Sequence, residues 1–111
     1  MSERDYTDFI QDIIDAINSI NVFIANMSFE EFIKDDKTFS AVTRKFEIIG
    51  EAANRIPKQI QQKYNDIPWP YMIGMRNKII HDYDGVNLMI VFDSAKEDLN
   101  DLLPLLEKIL K

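Results

Sequence analysis

The stretch FSAVTRKFEIIGEAANRI, Phe39 to Ile56, decides the fold. Phe39, Val42, Phe46, Ile49, Ala53 and Ile56 recur at alternating spacings of three and four. That period lays one apolar stripe along an α-helix, whereas a half-buried strand would alternate every second residue. A helix is expected over about Asp36–Ile56. Gly50 lies inside it, where glycine costs about 1 kcal/mol relative to alanine, so close backbone approach by a neighbour is the reason to expect it there. Glu51 sits beside it.

The same period continues on both sides. Upstream, Tyr6, Phe9, Ile10, Ile13, Ile14, Ile17, Ile20 and Ile24 form a stripe over about Ser2–Ala25, with Asp5, Asp8, Asp12 and Asp15 on the wet face. Ser28 followed by Glu31 reads as a capping box opening a short helix that holds Phe29, Phe32 and Ile33. Downstream, Pro57 suits the first residue of a short helical turn. The run Asn65–Pro70 breaks the pattern, because Pro68 and Pro70 disfavour helix in the residues before them. A new helix is expected over about Trp69–Asp82, stopping at the Asp84-Gly85 turn. Asn87 can cap a last helix to Leu110 with Val91, Ala95, Leu99, Leu102 and Leu106 in its stripe. Pro104 lies inside that helix and removes a donor, which predicts a kink or break near Asn100–Pro104. The fold expected is an all-α antiparallel bundle of four to five main helices in a single domain, residues 1–111.

Composition narrows the chemistry. At 111 residues and 13.0 kDa the chain falls below the usual domain size of roughly 150 residues, so one domain is expected, with no room for a second. It has no Cys and one His, which removes disulfides, thiolate zinc sites, cysteine nucleophiles and any two-His metal site. No apolar run approaches the roughly 18 residues of a membrane span, so a cytoplasmic protein with no membrane partner is expected. The net charge of -6 argues against coating nucleic acid through bulk electrostatics. The charge is unevenly spread, however. Residues 1–33 carry one basic residue against seven acidic, residues 34–78 nine against five, and residues 79–111 three against seven. The middle of the chain is locally positive, either as a phosphate-facing side or as scattered solvated lysines.

One helix interrupts its apolar arc with a charge. Over Trp69–Tyr83 the arc is Trp69, Met72, Ile73, Ile79 and Ile80, and Arg76 falls near its middle. Arginine is rarely buried unpaired, and its planar fork suits carboxylates and phosphates. Arg76 therefore implies either a structural pair, with Glu51 or Glu47, or an anion site at an interface. His81, the single histidine, follows five residues later. Asn77 lies four residues before His81 on the same face and can hold the imidazole in one tautomer, while Asp82 and Asp84 favour its charged form. Taken alone, a histidine beside a turn is also an ordinary surface residue, and Tyr83 an ordinary aromatic closing a helix end.

These residues resemble a known family. Arg76-Asn77-Lys78-Ile79-Ile80-His81-Asp82-Tyr83 looks like the Arg, four residues, His, one residue, Tyr signature of HepT-like toxins in the HEPN superfamily. Ile48-Ile49-Gly50-Glu51-Ala52, Ile67-Pro68-Trp69, Ile73-Gly74-Met75-Arg76-Asn77 and the Tyr83-Asp84-Gly85-Val86 turn follow in the family's order, covering about residues 5–110. The resemblance implies a homodimeric toxin RNase paired with a minimal (MntA-like) nucleotidyltransferase antitoxin in a type VII HEPN/MNT system. It further implies that Arg76 and His81 are the catalytic residues, with no metal and no cofactor, acting on RNA such as tRNA or mRNA. Asn77 would support them, and Tyr83 would accept AMP from the partner. The acidic ends of this chain are a departure from what an RNA-binding protein leads one to expect.

Two further functions compete. One is a non-catalytic subunit that presents substrate or nucleotide to the transferase, with Arg76 as phosphate anchor and Tyr83 as a contact. The other is a structural bundle with a buried Arg76–Glu51 pair. His81-dependent RNA cleavage separates the first reading from both.

Overall fold

The computed structural model describes residues 5–81 and 88–111, and of residues 77–81 the backbone alone. The described chain is helical, as the periodicity requires: α1 (Tyr6–Phe23), α2 (Phe29–Lys34), α3 (Asp36–Arg55), α4 (Lys58–Lys63), α5 (Trp69–His81), α6 (Leu88–Asp93) and α7 (Leu99–Ile109). A π-helical turn, Ser94–Asp98, joins α6 to α7. No helix among the described residues is long and apolar enough to cross a membrane.

Helix α3 lies between α1 and α5, α7 packs on α1, and α2 closes the bundle against α3 and α6. The stripes read from the sequence form the core. Ile10, Ile13, Ile17 and Ile20 of α1, Phe46 and Ile49 of α3, Met72 of α5 and Leu99 and Leu106 of α7 are all at most 1% exposed. Phe32 of α2 anchors an aromatic cluster, with ring centroids 5.1 Å from Phe92 and 6.0 Å from Phe39.

Helix ends follow local chemistry, with corrections. α1 starts at Tyr6 rather than near Ser2, because Asp5 caps it: the Thr7 amide donates to Asp5 Oδ1 and the Asp5 amide donates to Asp8 Oδ2. Two of the four carboxylates read as a wet face thus do capping work. α1 ends at Phe23, short of Ala25, and the chain then takes a left-handed step at Asn26, φ 60°. The Ser28–Glu31 capping box forms as expected. Pro57 is the residue before α4 rather than its first residue. The start of α5 is tied down by the Trp69 indole, which donates to the carbonyls of Gln61 and Tyr64, each at 3.2 Å. The expected Asn87 cap and Asp84-Gly85 turn lie outside the described residues.

The kink expected near Asn100–Pro104 is displaced. α7 runs through Pro104, and the departure from α geometry comes earlier, where the Leu99 amide donates to the Ser94 carbonyl, five residues back. The Asn100 side chain donates to the Lys96 carbonyl at 2.9 Å, just after that five-residue step.

Candidate functional site

Arg76 is carried by α5 where that helix crosses α3, and Gly50 is what lets it cross so closely. A Cβ added at Gly50 would collide with Arg76 Cβ and stand 2.8 Å from its Cδ and 3.0 Å from its Cγ. The close approach expected at Gly50 is therefore present, and the neighbour is the arginine itself. Arg76 is half-buried and its Nε atom is buried. The methylenes lie across the α3 backbone, so packing constrains the stem that carries the guanidinium.

The acidic residues named as possible structural partners point elsewhere. Glu47 accepts from Arg44 at 3.2 Å. Glu51 is exposed and lines an open cleft of about 200 Å³ between α1 and α3, with Phe9, Asp12, Ile48, Ala52 and Arg55. Consecutive helix residues are about 100° apart, so Gly50 can face α5 while Glu51 faces the α1 side.

His81 is the last described residue of α5, and the helix is unbroken from Arg76 to His81. The side chains of Asn77 and His81 lie outside the described residues, as do Tyr83 and its turn. Of the expected α5 arc, Trp69 and Met72 are buried and Ile73 is half-buried. Met75, outside that arc, is buried too.

A polar junction was missed from the sequence. The Tyr71 hydroxyl sits 2.8 Å from Ser94 Oγ and 2.9 Å from Asp98 Oδ2, joining α5 to the π-helical turn. Burial pushes the phenol up to about 12; the Ser94 hydrogen bond opposes this, and the Asp98 carboxylate, which accepts its proton, adds to it. Ser94 is 3% exposed, and a hydroxyl on the apolar side of the last helix between Val91 and Ala95 was the available signal. Beside this junction Tyr71, Gly74, Met75 and Ile90 line an open cleft of about 350 Å³.

This fold and this seated cation define an α-helical protein built to hold a positive charge at a helix crossing. The chain belongs to the HepT-like ribonuclease family of the HEPN superfamily: residues 13–109 match the family described as Ribonuclease HepT-like. It is 41% identical over 111 residues to a protein of Methanocaldococcus jannaschii named as a candidate RNase, covering all of this chain and 92% of that one. It is 40% identical over 109 residues to a Thermococcus cleftensis protein named probable ribonuclease HepT, covering 98% of this chain and 99% of that one. A third relative, named as a candidate RNase of Caldanaerobacter subterraneus subsp. tengcongensis, is 33% identical over 103 residues, covering 93% of this chain and 92% of that one. No solved structure matches the chain. Ribonuclease is thus the enzyme class of this protein.

Proposed function

We propose that this chain is the toxin of a toxin–antitoxin pair, a metal-independent endoribonuclease in which Arg76 and His81 act in a site composed across a homodimer. The observation that carries the reading is the seating of Arg76 on Gly50, which presents a cation held by packing rather than a solvated, mobile one. RNA supplies its own nucleophile, the 2′-hydroxyl next to the scissile phosphate, which bonds phosphorus while the 5′-oxygen of the following nucleotide leaves with a proton, giving a 2′,3′-cyclic phosphate. His81 takes or gives the proton, since imidazole titrates near neutral pH, and Arg76 stabilises the charge that develops on phosphorus-bound oxygen. Asn77 supports His81.

Five residues of helix are about 7.5 Å of rise and about 140° of rotation, so one chain presents Arg76 and His81 poorly to one phosphate. A two-fold axis near α5 would place two copies of each in one cleft and supply acid and base from separate chains. Gly74 supports such an axis. A Cβ there would meet nothing within 4 Å among the described residues, so packing among those residues does not account for this helix-interior glycine as it does for Gly50. Gly74 borders the cleft with Met75 and Ile90, and Met89 and Ile90 are 46% and 39% exposed. A second α5 approaching here would make use of both features.

Control falls to a partner of the minimal nucleotidyltransferase kind, which transfers AMP from ATP to the Tyr83 hydroxyl: the phenolic oxygen bonds the α-phosphorus, pyrophosphate leaves, and the phenolic proton passes to a base of the partner. The phosphodiester charge then competes with RNA for Arg76. Intact mass of the co-expressed protein should gain AMP increments that vanish in Tyr83→Phe.

The decisive experiment is RNA cleavage in EDTA by the purified protein. Arg76→Ala and His81→Ala should each lose at least a hundredfold in rate while remaining folded. Cleavage that requires magnesium and ignores His81→Ala would refute the mechanism. Absence of cleavage with AMP acceptance retained would favour the non-catalytic subunit.

A further inference from the structure

We propose that Gly50 is a positioning residue for the site: its missing side chain fixes where Arg76 carries its guanidinium. The proposal rests on Arg76 being the site's cation, and it concerns how that cation is held. Gly50 has no positive φ, so its backbone is one that any residue adopts and conformational freedom is not its purpose. It is buried in the interior of α3, where glycine weakens the helix by about 1 kcal/mol relative to alanine. A steric demand answers that cost, and the atoms making it are Cβ, Cγ and Cδ of Arg76.

The order of those contacts matters. Cγ and Cδ belong to a flexible stem that could swing away from an added methyl, but Cβ is fixed to the α5 backbone. A methyl at position 50 therefore cannot be accommodated by a new Arg76 rotamer alone, and α5 must lift or turn at Arg76. The start of α5 is held independently, by the Trp69 indole and by the Tyr71 hydroxyl. The displacement is then confined to the half of α5 that carries Arg76 and His81. Misplacing a catalytic group by about 1 Å costs on the order of a hundredfold in rate. Gly50 thus acts on the reaction through Arg76 without touching substrate.

The test uses the ¹⁵N-labelled full chain and three variants: Gly50→Ala, Arg76→Gly and Gly50→Ala/Arg76→Gly. In the natural chain the buried Arg76 Nε–H should exchange slowly with solvent. In Gly50→Ala it should exchange at least tenfold faster, with the Trp69 indole N–H still protected as a check that the fold survives. kcat for RNA should fall on the order of a hundredfold while KM changes little, a split that a general loss of folded protein would not produce. Gly50→Ala should lower the thermal midpoint of the natural chain but not that of Arg76→Gly, because the colliding atoms are gone. If Gly50→Ala fails to fold, the double variant must fold, and its failure would overturn the proposal. Unchanged Nε exchange, or unchanged kcat in a chain that cleaves RNA, would overturn it as well. Faster Nε exchange in a protein that never cleaves RNA would leave Gly50's hold on Arg76 standing and sink the ribonuclease mechanism instead.

Discussion

Tyr71 shows how much of this protein rests on single polar atoms whose partners local spacing does not name. Its hydroxyl joins Ser94 and Asp98, 23 and 27 residues further along the chain. An unfolded tyrosine loses its proton near pH 10, whereas the folded Tyr71 keeps it to about 12. The folded state therefore holds this proton more tightly between those values, and stability should fall as pH rises through the window. Tyr71→Phe should remove that part of the alkaline loss and, at neutral pH, cost about 1–2 kcal/mol by leaving Ser94 short of a partner. Denaturant titrations of both proteins from pH 7 to 12 check this, and parallel alkaline slopes would contradict it. Gly50, by contrast, was legible: a helix-interior glycine needs a reason, and the sequence says as much. That the neighbour it accommodates is Arg76 was not, because nothing in local spacing relates positions on two helices.

Among the elements, the helices with long stripes were the legible ones. α1 and α3 carry five or more turns of regular apolar spacing, and their faces sit in the core as read. Their ends were less legible, since Asp5 and Asp8 look like solvated carboxylates until the chain turns to place them at an orphan amide. The displaced irregularity in the last helix has a similar origin. The spacing of Val91, Ala95, Leu99 and Leu102 gives no hint that the hydrogen-bond register slips between Ser94 and Leu99. Asn100 secures that slip: its side chain donates to Lys96 and exchanges hydrogen bonds of 2.8 Å and 3.1 Å with Asn21 on α1. Asn100→Ala should cost about 2 kcal/mol and leave the half-buried Asn21 amide unsatisfied. Adding Asn21→Ala should cost markedly less than it does in the natural chain, and additive losses in a chemical-denaturation cycle would show that the pair is not coupled.

The whole molecule combines a bundle legible in its apolar spacing with a proposed site that draws on more than one chain. The all-α class and the HepT-like family followed from periodicity and from an ordered set of short motifs, and both hold. The proposed site is a matter of separation: Arg76 and His81 share one helix, and five residues of helix turn them onto different faces. The proposed answer is a second copy, and sedimentation at low micromolar concentration should give about twice 13.0 kDa. Subunit mixing tests the composite site most directly. Equal amounts of the natural chain and the inert Arg76→Ala/His81→Ala chain are unfolded together, refolded, and assayed for RNA cleavage. If every site needs both chains, mixed dimers are dead and the preparation keeps about one quarter of the activity of the same total amount of natural protein. If each chain carries a complete site, it keeps about one half, and the composite site is contradicted.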